Sequence, residues 1–133
     1  MLLALGAGPT ASPWLWHLVM GAIVVLASAG CIAQAEHARA RFVREDPSQV
    51  VADETAGQAL ALMFLPAAAF ANPGSAWWTL VLAFVGFRVF DIVKPFPARE
   101  AQSIAGAWGI LLDDLLAAVY TIVTIHIVVA LVR

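Results

Sequence analysis

Two pairs of adjacent carboxylates stand out for their surroundings: Asp53-Glu54 and Asp113-Asp114 each border or enter a long apolar stretch. A carboxylate at membrane depth is costly and therefore a functional candidate. Asp113 and Asp114 fall five or six residues into the run 108–132, roughly 8 Å along a helix rising 1.5 Å per residue. As neighbours they project about 100° apart, so both can face one cleft without forming a parallel pair. Asp53 and Glu54 stand at the mouth of another run, just before Ala56 and Gly57. Taken alone, they would only complement the dipole of a first helical turn. With a second acidic pair entering from the same face, four carboxylates can hold one or two hard divalent cations through oxygen, as Mg²⁺ prefers.

Positive charge comes from a third cluster. Arg88, Asp91 and Lys94 follow at i, i+3 and i+6, a stripe down the end of a helix. Lys94-Pro95-Phe96-Pro97-Ala98-Arg99 then leaves that helix, because two prolines cannot continue it. A rigid turn carrying Lys94 and Arg99 at an interface suits a lipid phosphate; snorkelling at a membrane edge is the competing explanation. Asp91, between Arg88 and Lys94, could orient either or ligate a metal. Gly106 and Gly109 flank Trp108 ahead of the last acidic pair, where glycines admit either an anion to backbone N–H groups or a closely packed helix. His17, His37 and His126 have no metal-ligand partner at helical spacing, and no nucleophile elbow, phosphate loop or dinucleotide fingerprint is present.

The elements that must position these groups are set by composition. Of 133 residues, 62% are hydrophobic and only 12% charged, about half the charge of a soluble domain. The length allows one domain, 1–133. A water-soluble enzyme, a disordered chain and a disulfide-stapled fold (Cys31 stands alone) are excluded. The net charge of −2 argues against a nucleic-acid partner. The chain reads as an all-α, polytopic membrane helix bundle with about four transmembrane helices, roughly 14–35, 57–71, 76–93 and 108–132. Pro66 kinks the second, Trp77 and Trp78 anchor the third, and 72–75 reads as a tight turn. Every acid and all bases but Arg133 lie between 36 and 114. Four spans place both charged connections, 36–54 and 88–107, on one side, and the positive-inside rule makes that side cytoplasmic. Arg39, Arg41 and Arg44 read as topology determinants. Ser28-Ala29-Gly30-Cys31 is a helix-packing face rather than a lipoprotein cleavage site, since no basic n-region precedes it.

Three strings together resemble the phosphatidylglycerophosphatase A family: Asp46-Pro47-Ser48-Gln49-Val50-Val51-Ala52-Asp53-Glu54-Thr55-Ala56-Gly57, Phe87-Arg88-Val89-Phe90-Asp91-Ile92-Val93-Lys94-Pro95-Phe96-Pro97, and Gly106-Ala107-Trp108-Gly109-Ile110-Leu111-Leu112-Asp113-Asp114. Each is modest alone; their order and spacing are specific. The resemblance implies a Mg²⁺-dependent phosphatase of the bacterial inner membrane that converts phosphatidylglycerophosphate to phosphatidylglycerol and phosphate. It carries the family's acidic motif to Asp53 and Glu54, its Lys-Pro-x-Pro motif to Lys94, and its paired aspartates to Asp113 and Asp114. Such proteins usually begin with another hydrophobic segment after a Pro-Gly-Thr-x-Gly-Ser string. Here Gly8-Pro9-Thr10-Ala11-Ser12 is only a scrap of it, so the sequence reads as about one span short.

The expectation is then hydrolysis of a lipid phosphomonoester at the cytoplasmic face. Asp53, Glu54, Asp113 and Asp114 carry the catalysis and bind Mg²⁺ with Asp91, while Arg88, Lys94 and Arg99 hold the phosphate. A partner copy would seal so small a bundle. Three rivals are a cation-binding, transport or assembly subunit, a truncated inactive relative, and alcohol phosphotransfer on nucleotide-activated lipids. Transport demands acids at mid-membrane depth, and phosphotransfer demands an Asp-Gly-x-x-Ala-Arg string that the sequence lacks.

Overall fold

The computed structural model describes residues 11–41, 47–70, 72–101, 103–104 and 107–132, with side chains of 35–50 and Ala107 left aside. Within these the chain is helical: α1 (Pro13–Arg41), α2 (Pro47–Met63), a 3₁₀ turn (Ala67–Phe70), α3 (Pro73–Val93), α4 (Ala98–Ala101) and α5 (Ala107–Val132). No strand occurs among the described residues. The all-α expectation holds.

Three helices are long and apolar enough to cross a membrane, over Pro13–Gln34, Pro73–Val93 and Trp108–Val132. The segment expected at 57–71 is built differently. Its helix starts at Pro47 and stops at Met63, and the 3₁₀ turn follows. Pro66 explains the stop, since it donates no N–H and disfavours helical backbone in the residue before it. Asp53 and Glu54 consequently lie within α2, beyond its first turn, which contains no acid. Dipole complementation, confined to a first turn, does not account for them.

Segment 72–75 also departs from the expected free turn. It is the N-terminus of α3, where the Asn72 side chain accepts from Ser75 N at 2.8 Å and Asn72 N donates to Ser75 Oγ at 3.2 Å. This reciprocal cap, with Pro73 preset for the first helical position, starts the helix. Its other end is set by Lys94, whose φ of 47° is left-handed. Pro95 and Pro97 follow, and Phe96–Pro97 is cis. The Tyr120 hydroxyl donates to the Phe96 carbonyl at 2.7 Å, holding this turn against α5.

Packing places α2 between α1 and α5, with α3 on the other flank of α5. Small residues allow the approach: Ala56, Ala59 and Ala61 of α2 and Ala117 and Ala118 of α5 are buried, as expected where helices meet in lipid. Gly57 is the closest fit. A Cβ there would lie 2.6 Å from the Phe87 ring and 2.9 Å from the Asp114 carbonyl oxygen, so only glycine lets α2 reach α5 beside the aspartate pair. Gly109 permits a different close approach, since a Cβ there would run into the carbonyls of Ile104 and of Ala101 at the end of α4. Of the two uses open to this glycine, the structure supports close packing. Outward faces carry Trp77, Trp78, Phe84, Val123 and Leu131 exposed, a surface suited to lipid.

Candidate active site

The charged side chains gather at one end of the bundle, where α2 starts, α3 ends and α5 begins its apolar run. Asp91 stands near the C-terminus of α3, and Asp113 and Asp114 lie six and seven residues into α5. One carboxylate oxygen from each of these three lies within 4.8 Å of the others, with Asp113 and Asp114 buried and Asp91 half-buried. The adjacent aspartates thus serve one cluster, completed by the acid of the basic stripe.

Cations adjoin the cluster from α3. Nζ of Lys94 donates to Oδ2 of Asp113. Nη1 of Arg88 donates to Oε1 of Glu54 at 2.6 Å and more weakly to Oδ2 of Asp91 at 3.4 Å. Both Arg88 contacts use one nitrogen, which leaves other N–H groups of its five-donor fork for a ligand. The left-handed backbone at Lys94, which costs an ordinary residue about 1–2 kcal/mol, turns the chain out of α3 where its ammonium meets α5.

The acids expected on α2 take different positions. Asp53 is buried, and its Oδ1 accepts from the Glu54 N–H at 2.8 Å. Burial pushes its carboxyl above the ordinary value; the Glu54 N–H works against this, and the charges of Glu54 and Asp91 reinforce it. It belongs to the same neighbourhood but not to the three-oxygen group. Glu54 turns to Arg88. Arg99 lies exposed on α4 and forms no ion pair among the described residues, so the structure does not bring it to the cluster. Gly106, Arg44 and Arg133 lie outside the described residues, as do the side chains of Arg39 and Arg41. Gly57 is the structural residue that the sequence reading passed over. Its signal was a glycine inside a helical segment four residues from an acid.

A divalent cation fits this donor set. Five carboxylates, from Asp53, Glu54, Asp91, Asp113 and Asp114, face only two cationic partners among the described residues, Arg88 and Lys94. Oδ1 of Asp113 is buried without a hydrogen-bond partner, a cost that folding rarely tolerates. Clustered like charges of this kind are stabilised by an opposite charge, and all-oxygen ligands suit Mg²⁺, Ca²⁺ or Mn²⁺.

Comparison with known proteins agrees with the motifs. A family model described as phosphatidylglycerophosphatase A matches residues 1–129. A Bacteroides thetaiotaomicron protein named "Putative phosphatidylinositol-3-phosphatase" is 39% identical over 83 residues, 62% of this chain and 49% of the relative. Proteins named phosphatidylglycerophosphatase A from Haemophilus influenzae and Escherichia coli are 37% and 35% identical over 81 and 75 residues. Those matches cover 60% and 56% of this chain and 45% and 40% of the relatives. The chain therefore spans about half the length of the curated relatives it matches. No solved structure gives a significant match. With almost its whole length matched by the family model, the chain belongs to the phosphatidylglycerophosphatase A family.

Proposed function

We propose that the chain is a divalent-cation-dependent phospholipid phosphatase, releasing the terminal phosphate of phosphatidylglycerophosphate at the cytoplasmic face of a bacterial inner membrane. The observation that carries this reading is the convergence of Asp91, Asp113 and Asp114 beside Arg88 and Lys94. Oxygen donors for a hard cation and nitrogen donors for a phosphate occupy one end of a membrane bundle, where a headgroup arrives with its acyl chains still in lipid.

Asp91, Asp113 and Asp114 would hold Mg²⁺, with Asp53 beside them. When bound, such an ion supplies Lewis-acid polarisation of the phosphate and its attacking water. The chain's own residues do the remainder. Arg88 is kept in place by Glu54 and presents its free N–H groups to the phosphate oxygens, matching charge that develops in the transition state. Lys94 offers two further ammonium donors beyond the one given to Asp113. Asp113 and Asp114 are buried, and a low-dielectric setting strengthens each charged contact.

Cation transport is the weaker reading. Asp113 lies only about 9 Å along α5 from its first residue, and Asp91 near the end of α3, so the acids cluster at one end. Headgroup choice is the open part of the proposal, because the relatives carry names with two different headgroups. The experiment is phosphate release by the purified chain in detergent from phosphatidylglycerophosphate and from phosphatidylinositol-3-phosphate, with and without EDTA. Release from the first substrate, abolished by EDTA, is the expected result. Release only from the second would move the headgroup assignment. No EDTA-sensitive release from either, by folded protein, would end the proposal.

A further inference from the structure

Lys94 is the only lysine of the 133 residues, and its ammonium reaches Asp113 from a turn rather than from within a helix. A lysine stem is long and flexible, so its backbone must be held for the charge to stay in one place. The turn can do little of this with its own donors. Pro95 and Pro97 have no N–H, and the N–H of Lys94 goes to the Phe90 carbonyl that closes α3. Its carbonyls are better placed. Pro95 accepts from Ala98 N at 2.8 Å, and Pro97 accepts from Glu100 N and Ala101 N at 3.1 and 3.0 Å. Those bonds shape the turn locally without fixing it to α5.

Tyr120, the only tyrosine, supplies the missing tie. Its hydroxyl donates to the Phe96 carbonyl at 2.7 Å. Among the described residues, this bond and the Lys94–Asp113 pair are the side-chain hydrogen bonds that join the turn to another helix. The Tyr120 ring also meets Phe90 of α3, with centroids 5.5 Å apart. Phe90 lies four residues before Lys94 and Phe96 two after it, so one side chain grips both flanks. Tyr120 stands seven residues after Asp113, two turns along α5 and about 20° away in direction. One face of α5 therefore receives the ammonium through Asp113 and the turn through Tyr120. The bond is also hard to replace. Tyr120 lies inside the apolar span Trp108–Val132, where little water is at hand to take the hydroxyl's place on the carbonyl.

We propose that Tyr120 is a positioning residue for the phosphatase site, fixing the Lys94 turn so that the ammonium stays between Asp113 and the phosphate. The inference rests on the lipid-phosphatase reading for its catalytic consequence, while the placement of Lys94 can be measured without turnover. Tyr120→Phe is the informative change. It keeps the ring against Phe90 and removes only the oxygen, so α3 and α5 stay packed while the turn is released.

The test compares the parent chain, Tyr120→Phe and Thr124→Val in detergent with EDTA, where no cation competes for Asp113. Each is treated with an amine-acylating ester, and adducts at Lys94 and at the α-amino group are followed by mass spectrometry. With no second lysine in the chain, the α-amino group serves as the internal reference. Acylation of Lys94 should be about fivefold faster in Tyr120→Phe. It should be unchanged in Thr124→Val, which loses a hydroxyl bonded within α5. With Mg²⁺ restored, kcat/KM of Tyr120→Phe for phosphatidylglycerophosphate should fall about tenfold at matched folded fraction. Equal Lys94 rates in the parent and Tyr120→Phe overturn the inference. So does a rise shared by the α-amino group or by Thr124→Val, which would mean general loosening. An unimpaired kcat/KM in Tyr120→Phe beside an active parent overturns it too. A parent that releases no phosphate sinks the phosphatase reading instead, and the acylation rates still decide whether Tyr120 holds Lys94.

Discussion

Nη1 of Arg88 donates a 2.6 Å hydrogen bond to Oε1 of Glu54, joining α3 to α2 across 34 positions of sequence. The two residues had separate expected roles, one on phosphate and one on metal, and they meet as partners. Both side chains are partly exposed, at 44% and 36%, so the pair adds little stability by itself. Its consequence is positional, because it fixes the guanidinium beside Asp91.

Arg88→Lys should lower kcat/KM for the lipid phosphate about tenfold, since an ammonium cannot reproduce the fork that reaches an acid and a phosphate together. Arg88→Ala should cost more, about a hundredfold. Glu54→Gln should fall nearer the lysine variant, because Glu54 acts through Arg88. Steady-state kinetics in mixed micelles check the order, which a direct metal-ligand role for Glu54 would reverse.

Asp91→Asn, Asp113→Asn and Asp114→Asn should each weaken divalent-cation binding by about tenfold or more. Mn²⁺ binding followed by electron paramagnetic resonance reads this without any turnover. Equal affinities in all three variants and the parent would remove these residues as ligands.

Gly57→Ala should destabilise the protein by about 1–3 kcal/mol, because the added methyl collides with the Phe87 ring and the Asp114 carbonyl. Phe87→Leu in the same chain should recover part of that loss, while the backbone contact remains. Thermal unfolding in detergent measures both. An unchanged midpoint for Gly57→Ala would mean that α2 and α5 are less closely joined.

Much of this arrangement was legible in the sequence because each acid or base stands out against an apolar background. Asp113 and Asp114 were readable as a candidate site from depth alone, and the stripe Arg88, Asp91, Lys94 from its spacing. What the spacing leaves undetermined is pairing between helices. Glu54 and Arg88 are equally compatible with a metal, a phosphate or one another, and only the crossing of α2 and α3 selects. The start of α2 was misplaced for a related reason: 47–56 is too polar to read as a span, yet it forms helix continuously with the apolar stretch. The cap at Asn72 was hidden because Asn-Pro-Gly-Ser is also a turn sequence, and the following apolar helix decides its use.

Lys94 allows backbone and side-chain roles to be separated. Lys94→Gly and Lys94→Ala both lose the ammonium at Asp113 and should lose activity alike. The glycine variant should nevertheless be about 1 kcal/mol more stable than the alanine one, because φ is 47° there. Unfolding midpoints of the two variants, taken together, check this difference. Equal stability would contradict the left-handed backbone.

The most direct measurement is a Mg²⁺ titration of phosphate release from phosphatidylglycerophosphate by the parent chain and by Asp113→Asn, at matched folded fraction. The expected result is saturable activation of the parent, with the variant needing far more Mg²⁺ or staying inactive throughout. Full release in EDTA, or superimposable titration curves for the two proteins, would contradict a cation-dependent phosphatase built on the Asp91, Asp113 and Asp114 cluster.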